Sequence, residues 1–380
     1  MRIMSKEIDL GDYDIGIIGL GVAGSNLARL LLPHLKVIAL DKKDAKGDCF
    51  DESFHKPCGG LLSQGAQKCF ANQGLSLPLE ILSSPQIFAI NTIDIPSKIG
   101  SYIQKCYVNM ERHRFDLWLK SLIPPHIEVW HNAFFKGLES LRNTHAKDMG
   151  KPRYRGRFYV QGQYYTFNAR YIIGADGATS YLRRFLYPHL KTQTLVCIQE
   201  WFKESNPPML ACYFDEKITP SYSWSMSKEG YFIFGGAYLH HHCSSHFKQQ
   251  KKDLASIGFV FGEKLKRESC LVLYPMRLKD FVCGRDHIFL VGEAAGFVNA
   301  STLEGISGAM SSSRILSEIL NRDDSDAHRS YVRATRILVF KTLFRAYVRY
   351  PFMFVPFIRR LVLKFGILRV RKGMHKGQIQ

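Results

Sequence analysis

The stretch YDIGIIGLGVAG, residues 13–24, decides the fold of this chain. Its apolar first half predicts a short buried strand, and its second half is a G-x-G-x-x-G loop. Residues 25–32, SNLARLLL, continue with a helical pattern. A second apolar segment, residues 37–40, ends at Asp41. This order of strand, glycine loop, helix, strand and acidic residue predicts a β-α-β unit that binds a dinucleotide.

Each glycine of the loop has a separate expected role. Gly19 permits the tight turn, Gly21 lets a pyrophosphate approach the backbone, and Gly24 lets the helix pack against the strand. The helix N-terminus supplies amide donors and the positive end of its dipole. Asp41 follows Gly21 by about 20 residues, where a carboxylate accepts hydrogen bonds from ribose hydroxyls. The motif does not separate NAD from FAD, and a glycine-rich turn of no function is the alternative.

Two later segments repeat the pattern of an apolar strand that ends in small and acidic residues. Residues 171–173 run into GADGATS, residues 174–180, and residues 287–291 run into GEAAG, residues 292–296. Such strand ends place a carboxylate where it can reach a ligand at the carboxyl edge of a sheet. Three strand ends of this kind in one chain favour a shared binding site over three structural turns.

The chain resembles the FAD-dependent geranylgeranyl reductase family, within the wider group of flavoprotein hydroxylases and halogenases. The resemblance covers residues 12–330, nearly the whole chain. The motifs that carry it are GLGVAG (19–24), KPCGG (56–60), RHRFDLWL (112–119), GADGATS (174–180), PSYSWSMSK (220–228) and GEAAGFVNASTLEGI (292–306).

This resemblance implies an α/β fold. A Rossmann-like FAD-binding domain is assembled from discontinuous pieces, an antiparallel β-sheet substrate domain is inserted, and a helical basic C-terminal tail closes the chain. The expected boundaries are 12–80, 107–186 and 277–326 for the FAD-binding domain, 81–106 and 187–276 for the substrate domain, and 327–380 for the basic amphipathic helical region.

The resemblance also implies which residues bind FAD. Asp41 matches the ribose-binding acid, Arg112 the arginine that contacts the cofactor, and Asp176 an acid near the diphosphate. The family usually has Asp where this sequence has Glu293, which is expected on the ribityl chain. The implied cofactor-binding residues are Gly19, Gly21, Val22, Ala23, Gly24, Asp41, Lys42, Arg112, Asp176, Gly177, Gly292, Glu293, Ala294, Gly296, Gly305 and Ile306.

A cysteine–glycine loop is expected beside the flavin ring. Cys58, Gly59 and Gly60 match a family loop there, and two glycines allow close backbone approach to a flat ligand. Cys58 is a catalytic candidate that positions substrate or relays a proton, while Gly59 and Gly60 are expected to line the substrate. The alternative is that Cys58 is a small buried hydrophobe, as free cysteines usually are.

An aromatic segment predicts the substrate surface. Residues 222–226 alternate like a strand, and residues 230–236 look like its hairpin partner, with residues 213–214 on a neighbouring strand. In the family such a sheet roofs an apolar tunnel, which Tyr222 and Trp224 are expected to line. Their π faces could stabilise cationic character in the substrate. The alternative is an ordinary sheet that packs on a core.

One departure from the family lies in this segment. The family often has Y-x-W-x-F-P-K, and here Met226 and Ser227 replace Phe-Pro while Lys228 is kept.

The predicted reaction is reduction of a carbon–carbon double bond in an isoprenoid or other hydrophobic lipid, with hydride from reduced flavin. The expected electron donor is NAD(P)H or another reduced carrier. It is expected to visit transiently, because the sequence has no second G-x-G-x-x-G motif for a separately bound nicotinamide. Two alternatives stay open. One is an FAD-dependent monooxygenase that hydroxylates or epoxidises an apolar compound, and the other is a non-catalytic protein that binds FAD and lipid.

Composition constrains the compartment and the metal content. Nine cysteines without a C-x-x-C pair favour a reducing compartment. The sequence offers neither a signal peptide nor roughly 20 consecutive apolar residues, so a cytoplasmic location is expected, peripheral on the inner face of the membrane. His240–His242 and His246 are expected in a polar loop before a Lys-rich helix at 247–254, and no metal site is predicted.

The basic charge concentrates at the C-terminus. The net charge is +19, and no acidic residue follows Asp326. Lys341, Arg345 and Arg349 share one helical face, and Pro351 and Pro356 are expected to break the helix. The apolar residues around this face are Leu338, Val339, Leu343, Phe344, Tyr347 and Val348.

A basic, apolar helix of this kind predicts contact with an anionic membrane surface. The tail is too apolar for a DNA-binding arm and no recognition module is seen, so nucleic acid is not expected as a partner. A helix that docks on the FAD domain is the alternative, and both can hold. The sequence does not indicate the oligomeric state.

Overall fold

A computed structural model describes residues 7–47, 50, 56–141, 153–203, 206 and 210–365. Two eight-stranded sheets form its framework in these ranges. The strands of the first sheet are β1 (Ile8–Ile18), β2 (Val37–Leu40), β6 (Ile127–Trp130), β7 (Phe134–Leu141), β8 (Arg153–Val160), β9 (Gln163–Gly174), β15 (Gly284–Arg285) and β16 (Ile288–Leu290). The strands of the second are β3 (Leu61–Leu62), β4 (Ile87–Asp94), β5 (Ile99–Asn109), β10 (Thr194–Lys203), β11 (Leu210–Phe214), β12 (Ser223–Lys228), β13 (Tyr231–Tyr238) and β14 (Lys264–Leu273).

Helices cover the sheets and close the chain. They are α1 (Val22–Leu30), α2 (Gln64–Ala71), α3 (Arg112–Ser121), α4 (Tyr181–Leu186), α5 (Cys243–Ala255), α6 (Ile306–Leu320), α7 (Ala327–Phe354) and α8 (Pro356–Phe365).

The centre of the first sheet is parallel. β16, β9, β1, β2 and β6 lie side by side in that order, and Ile15 of β1 pairs with Val37 on one side and with Tyr171 on the other. Residues 15–18 are buried because both faces of the sheet are covered, one by helices such as α1 and α6 and the other by β7, β8 and α4, which explains their uninterrupted apolar run. The carboxyl ends of these strands share one edge, so the three predicted strand ends meet there. The predicted α/β fold is confirmed.

The second sheet is almost entirely antiparallel. β12 and β13 form a hairpin, with Trp224 opposite Gly235, and β11 pairs with β12, with Tyr213 opposite Ser223. The predicted hairpin and its neighbouring strand are therefore confirmed. β3, at residues 61–62, pairs with β5 and so joins this sheet from within the range assigned to the first FAD-binding piece. The domain boundaries themselves stay a prediction.

The two C-terminal helices dock on different parts of the molecule. α7 packs on α6, and the Tyr331 hydroxyl donates to the Leu290 carbonyl. The expected break at Pro351 is wrong, since α7 continues through it to Phe354. A proline so close to a helix end removes one hydrogen bond of the last turns. Pro356 does mark a break, because α8 begins there.

α8 is fixed to the second sheet by a buried ion pair. Arg359 Nε lies 2.8 Å from Asp94 Oδ2, and Arg359 and Asp94 are 3% and 0% exposed. Arg360 Nε lies 3.1 Å from the other Asp94 oxygen, and both arginines also bond Glu216. Two of the basic tail residues therefore dock the helix. The basic residues Arg369, Arg371, Lys372 and Lys376 lie outside the described residues.

The remaining sequence expectations concern the histidine run and membrane spans. His240–His242 precede α5, which begins at Cys243, four residues before the expected start. Across the described ranges, no three His, Cys, Asp or Glu side chains are grouped in a way that could hold a metal ion. Within those ranges, no helix combines the length and apolarity needed to cross a bilayer.

Candidate functional site

A cavity of about 680 Å³ lies between the two sheets, at the carboxyl ends of β1, β2 and β9. This volume falls within the roughly 300–1,000 Å³ of typical ligand cavities. The glycine loop and Asp41 line one part of it, and Tyr222 and Trp224 of the second sheet line another. The cavity is therefore continuous from the parallel sheet to the antiparallel sheet.

The glycine loop presents bare backbone to this cavity. A Cβ atom at Gly21 would meet no atom within 4 Å, whereas a Cβ at Gly24 would lie 1.9 Å from the Gly19 carbonyl oxygen. Gly21 precedes the first turn of α1, whose Val22 and Ala23 also line the cavity. A ligand anion can thus approach the backbone at Gly21, while Gly24 allows α1 to pack against the loop.

Charged side chains surround the wall next to the loop. Lys120 Nζ lies 2.6 Å from Asp41 Oδ2, Lys43 Nζ lies 3.5 Å from Asp116 Oδ2, and Arg112 Nε lies 2.9 Å from Asp116 Oδ1. Burial lowers the pKa of Lys43, although Asp116 opposes the shift. The cations on the cavity wall, which complement an anionic ligand, are Lys42, Lys43, Lys56, Arg112 and Lys136.

Arg112 links this network to the cysteine–glycine loop. Burial acts to lower its pKa, but interactions with the Asp116 carboxylate and the Cys58 sulfur more than offset burial and raise the pKa. The guanidinium therefore stays charged beside the cavity. It links the Asp116 carboxylate to the Cys58 sulfur.

Asp176 offers an unused acceptor. Its Oδ2 accepts the Tyr181 N–H at 2.7 Å, and its buried Oδ1 has no hydrogen-bond partner in the part of the chain that the structure describes. Burial raises the pKa of this carboxyl. Asp176 and Gly177 both line the cavity. A ligand hydroxyl or amide donor at this point would satisfy the buried oxygen.

Glu293 already has partners from the protein. Its Oε1 accepts the Leu273 N–H at 3.1 Å, and its Oε2 forms an ion pair with Lys56. Burial acts to lower the pKa of Lys56, but the charge of Glu293 outweighs burial and raises it. The pair joins the KPCGG loop to the strand end after β16. The expected ribityl contact of Glu293 stays a prediction. A ribityl hydroxyl would have to bond a carboxylate that already accepts from Leu273 and Lys56.

The cysteine–glycine loop is held by a buried lysine. Lys228 Nζ donates to the carbonyls of Gly59 and Met110 at 2.7 and 2.6 Å. Cys58 and Gly59 line the cavity. Gly60 lies outside the lining, and a Cβ there would lie 2.1 Å from the Met110 oxygen, so this glycine serves close packing. In the sequence Lys228 was identified only as a residue shared with the family, and its hydrogen bonds to these two carbonyls were not predicted.

The apolar part of the cavity is formed mainly by the second sheet, together with the segment that precedes α6. The rings of Tyr222 and Trp224 meet edge to face with centroids 6.0 Å apart, and the Tyr222 hydroxyl donates to the Thr302 carbonyl at 2.6 Å. Burial raises the pKa of Tyr222 well above its ordinary value. The phenol is thus fixed and neutral, and its ring is available to an apolar ligand. Further apolar residues on this wall are Ile90, Leu210, Met226, Val298 and Leu303.

Sequence reasoning missed a polar pair in this apolar part. The Tyr107 hydroxyl donates to Glu304 Oε1 at 3.0 Å, and both residues line the cavity. Burial, with the Glu304 charge, raises the pKa of Tyr107. Glu304 lies in the TLEGI segment and could have been noted there. Tyr107 belongs to no quoted motif, so nothing in the sequence indicated it.

Most implied cofactor residues meet at the cavity, and some do not. The residues from that set outside the lining are Gly24, Gly292, Ala294 and Gly296. A Cβ at Gly292 would lie 2.7 Å from the Ala23 Cβ, and the Ala294 carbonyl accepts the Arg183 guanidinium at 2.9 Å. These residues therefore pack the strand end that supports the cavity. Gly305 and Ile306 line it at the start of α6.

The fold matches that of several solved structures. A geranylgeranyl bacteriochlorophyll reductase-like protein from Thermoplasma acidophilum superposes with a TM-score of 0.65 and 17% identity, over 93% of this chain and 88% of that one. PqsL of Pseudomonas aeruginosa, a probable FAD-dependent monooxygenase, gives 0.65 and 12% over 93% and 100%. The flavin-dependent brominase Bmp2 gives 0.60 and 15% over 95% of each chain. The chain therefore shares the fold of these flavin-dependent and reductase-like proteins.

Sequence comparison is more specific. Protein CbrA of Escherichia coli strain K12 is 44% identical over 359 residues, which cover 94% of this chain and 98% of that protein. Protein CbrA of Shigella sonnei gives the same identity and coverage. The chain belongs to the CbrA family. No protein-family model matches it.

Proposed function

We propose that this protein is an FAD-dependent oxidoreductase that reduces a carbon–carbon double bond in an isoprenoid or other hydrophobic lipid. The observation that carries the proposal is the single cavity that joins a phosphate-accepting glycine loop to an aromatic, apolar wall. A dinucleotide fits the first part, and a hydrophobic substrate fits the second. Other features of the site support each half separately.

The residues around the loop fit FAD. The bare backbone at Gly21 and the positive end of α1 suit the diphosphate, and Lys42 and Arg112 add positive charge. The unpartnered oxygen of Asp176 suits a hydroxyl donor. Bound FAD would supply hydride chemistry, and the protein would orient the substrate and exclude water. Cys58 interacts with Arg112, and a Cβ at Gly59 would lie 2.6 Å from the Met226 side chain, so this loop contacts both the charged and the apolar parts of the cavity, which suits a flat ring.

The apolar part suits an alkene substrate. Tyr222 and Trp224 present π faces that stabilise positive charge developing on carbon. Tyr107, held by Glu304, is the candidate that delivers a proton to the substrate, since its hydroxyl is the donor of a cavity-lining pair. The phenol is protonated at neutral pH, and burial with the Glu304 charge raises its pKa further.

A reduced carrier such as NAD(P)H is the proposed electron donor. The described cavity contains one glycine loop of the dinucleotide type, so the donor would visit transiently. A chemical reductant can replace it in a test. This separates the identity of the donor from the reaction on the substrate.

The decisive experiment is anaerobic. The purified flavoprotein is reduced, excess reductant is removed, a polyprenyl lipid mixture is added, and the oxidised-flavin absorption band is followed. Return of the band together with a lipid that gains two hydrogens supports the reductase. A flavin that stays reduced until oxygen is admitted, with oxygen incorporated into an apolar compound, identifies a monooxygenase instead. A protein that binds no flavin contradicts the whole proposal.

A further inference from the structure

The outer face of α7 carries an exposed apolar stripe. Ile337, Phe340, Phe344 and Val348 follow one another at intervals of three or four residues and so share a helical face. They are 64%, 68%, 56% and 47% exposed. We call these four residues the α7 stripe. The buried residues of the same helix, which face the rest of the protein, are Ala327, Tyr331, Thr335, Val339 and Ala346.

This stripe differs from the apolar set that the sequence indicated. Val339 is buried, and Leu338 and Leu343 pack on the core of the first sheet, so these residues dock the helix. Ile337 and Phe340 were not in that set, yet they are the most exposed members of the stripe. Exposed apolar residues that cluster in this way mark a binding surface rather than an ordinary solvent-facing helix.

Basic side chains flank the stripe. At about 100° per residue, Arg336 lies on one side of it, and Lys341 and Arg345 lie on the other. All three residues are exposed. None of them forms an ion pair within the ranges that the structure describes, and no acidic residue follows Asp326 in the sequence. The charge is therefore available to an anionic partner.

The inner face of α7 lies behind the apolar part of the cavity. Ala346 is buried in a cluster with Val298, and Trp224 and Leu303 pack against this cluster. Val298, Trp224 and Leu303 line the cavity. The Tyr347 hydroxyl, next along the helix, donates to the Met276 carbonyl at 2.5 Å. One helix therefore connects an exposed apolar surface with the wall of the apolar chamber.

We propose that the α7 stripe docks the protein on an anionic lipid bilayer. Aromatic and aliphatic side chains would enter the boundary between headgroups and acyl chains, and Arg336, Lys341 and Arg345 would bind lipid phosphates. The bilayer is the occupant that charge complementarity favours, because this face combines apolar bulk with unopposed positive charge. Docking does not depend on which reaction the cavity performs. It places the apolar part of the cavity near a source of apolar substrate.

The test is co-sedimentation of the full chain with vesicles. Vesicles of equal parts phosphatidylcholine and phosphatidylglycerol are compared with vesicles of phosphatidylcholine alone. The triple variant R336Q/K341Q/R345Q should bind the anionic vesicles about a hundredfold more weakly, since each charge contributes about fivefold. The double variant F340S/F344S should lose at least about tenfold.

Matched controls lie on other surfaces. Leu79→Ser removes an apolar side chain that is 79% exposed, and K248Q/K252Q removes two exposed lysines of α5. These variants should bind vesicles like the native chain. All variants should keep the native melting temperature and flavin content, which separates docking from cofactor binding.

Three outcomes would overturn the proposal. The native chain could fail to bind anionic vesicles, or the controls could lose as much binding as the α7 variants. In the third, the native chain is a dimer in sedimentation, binds no vesicles, and becomes monomeric in F340S/F344S. The stripe would then be an interface between two copies of the chain. The flavin experiment is independent of all three.

Discussion

Gly21→Ala should abolish tight FAD binding without unfolding the protein. The added methyl group would meet no atom within 4 Å, and the backbone φ of Gly21 is −74°, which alanine adopts readily. The free energy of unfolding should fall by only about 1 kcal/mol or less, because alanine is less favourable than glycine at a helix N-cap. The same methyl group would project into the space that the diphosphate is proposed to fill.

The effect on affinity follows from the hydrogen bonds that the methyl group displaces. A backbone N–H that donates to a charged group contributes about 1.5–3 kcal/mol. Because about 1.4 kcal/mol corresponds to a tenfold change, loss of one such bond should raise the Kd for FAD by about 10- to 100-fold. The Kd is measured by calorimetric titration of FAD into apoprotein, and the free energy of unfolding by urea denaturation.

Two other glycines provide the comparison. Gly24→Ala places a Cβ 1.9 Å from the Gly19 oxygen, so it should lower the free energy of unfolding by about 2 kcal/mol or more. Gly137→Ala, on β7, meets no atom within 4 Å and lies outside the cavity lining, so it should change neither quantity appreciably. An unchanged Kd in Gly21→Ala would refute the role of the loop in phosphate binding.

Three further predictions concern the remaining parts of the site and its support. Tyr107→Phe should lower kcat for alkene reduction by at least about tenfold and leave the Kd for FAD unchanged, because the substitution removes only the proton that Tyr107 donates. Equal turnover of the variant and the native chain in stopped-flow assays would exclude Tyr107 as the proton donor. Lys228→Met should lower the free energy of unfolding by about 3 kcal/mol, since the carbonyls of Gly59 and Met110 lose their hydrogen-bond donor. A variant that is as stable as the native chain in urea denaturation would contradict this prediction. Asp94→Asn should lower it by about 3 kcal/mol at neutral pH, because Arg359 stays buried without its full partner. Burial acts to raise the pKa of Asp94, but hydrogen bonds from Ser97 and Arg359 outweigh burial and lower the pKa. The stability that the Asp94–Arg359 ion pair contributes is therefore present above the unfolded pKa of about 3.9, and it is lost as the pH falls through the lower folded pKa. Urea denaturation as a function of pH should therefore show a weaker loss of stability below about pH 4 in Asp94→Asn, and an unaltered acid profile would refute the assignment.

The sequence by itself determined the first sheet and the phosphate-accepting loop. Short-range pattern suffices there, because strand, turn, helix and acidic residue are contiguous from residue 13 to Asp41. The hairpin at 222–236 was predictable for the same reason, since its strands are joined by a tight turn. Parallel strands share a carboxyl edge, so the meeting of Asp41 and Asp176 at one cavity also followed from the pattern.

Only the tertiary structure decided which side chains complete the site. Tyr107 and Glu304 lie 197 residues apart, so no local sequence pattern predicts their hydrogen bond. Glu293 was expected to serve the ligand, but its oxygens bond Lys56 and Leu273, which come from other segments. On α7 the sequence showed mixed charge and apolar residues all round, and only packing against α6 and the cavity wall separated the docked face from the exposed one. A helix has a buried face only where another element packs on it, and which face is covered is a property of the whole fold.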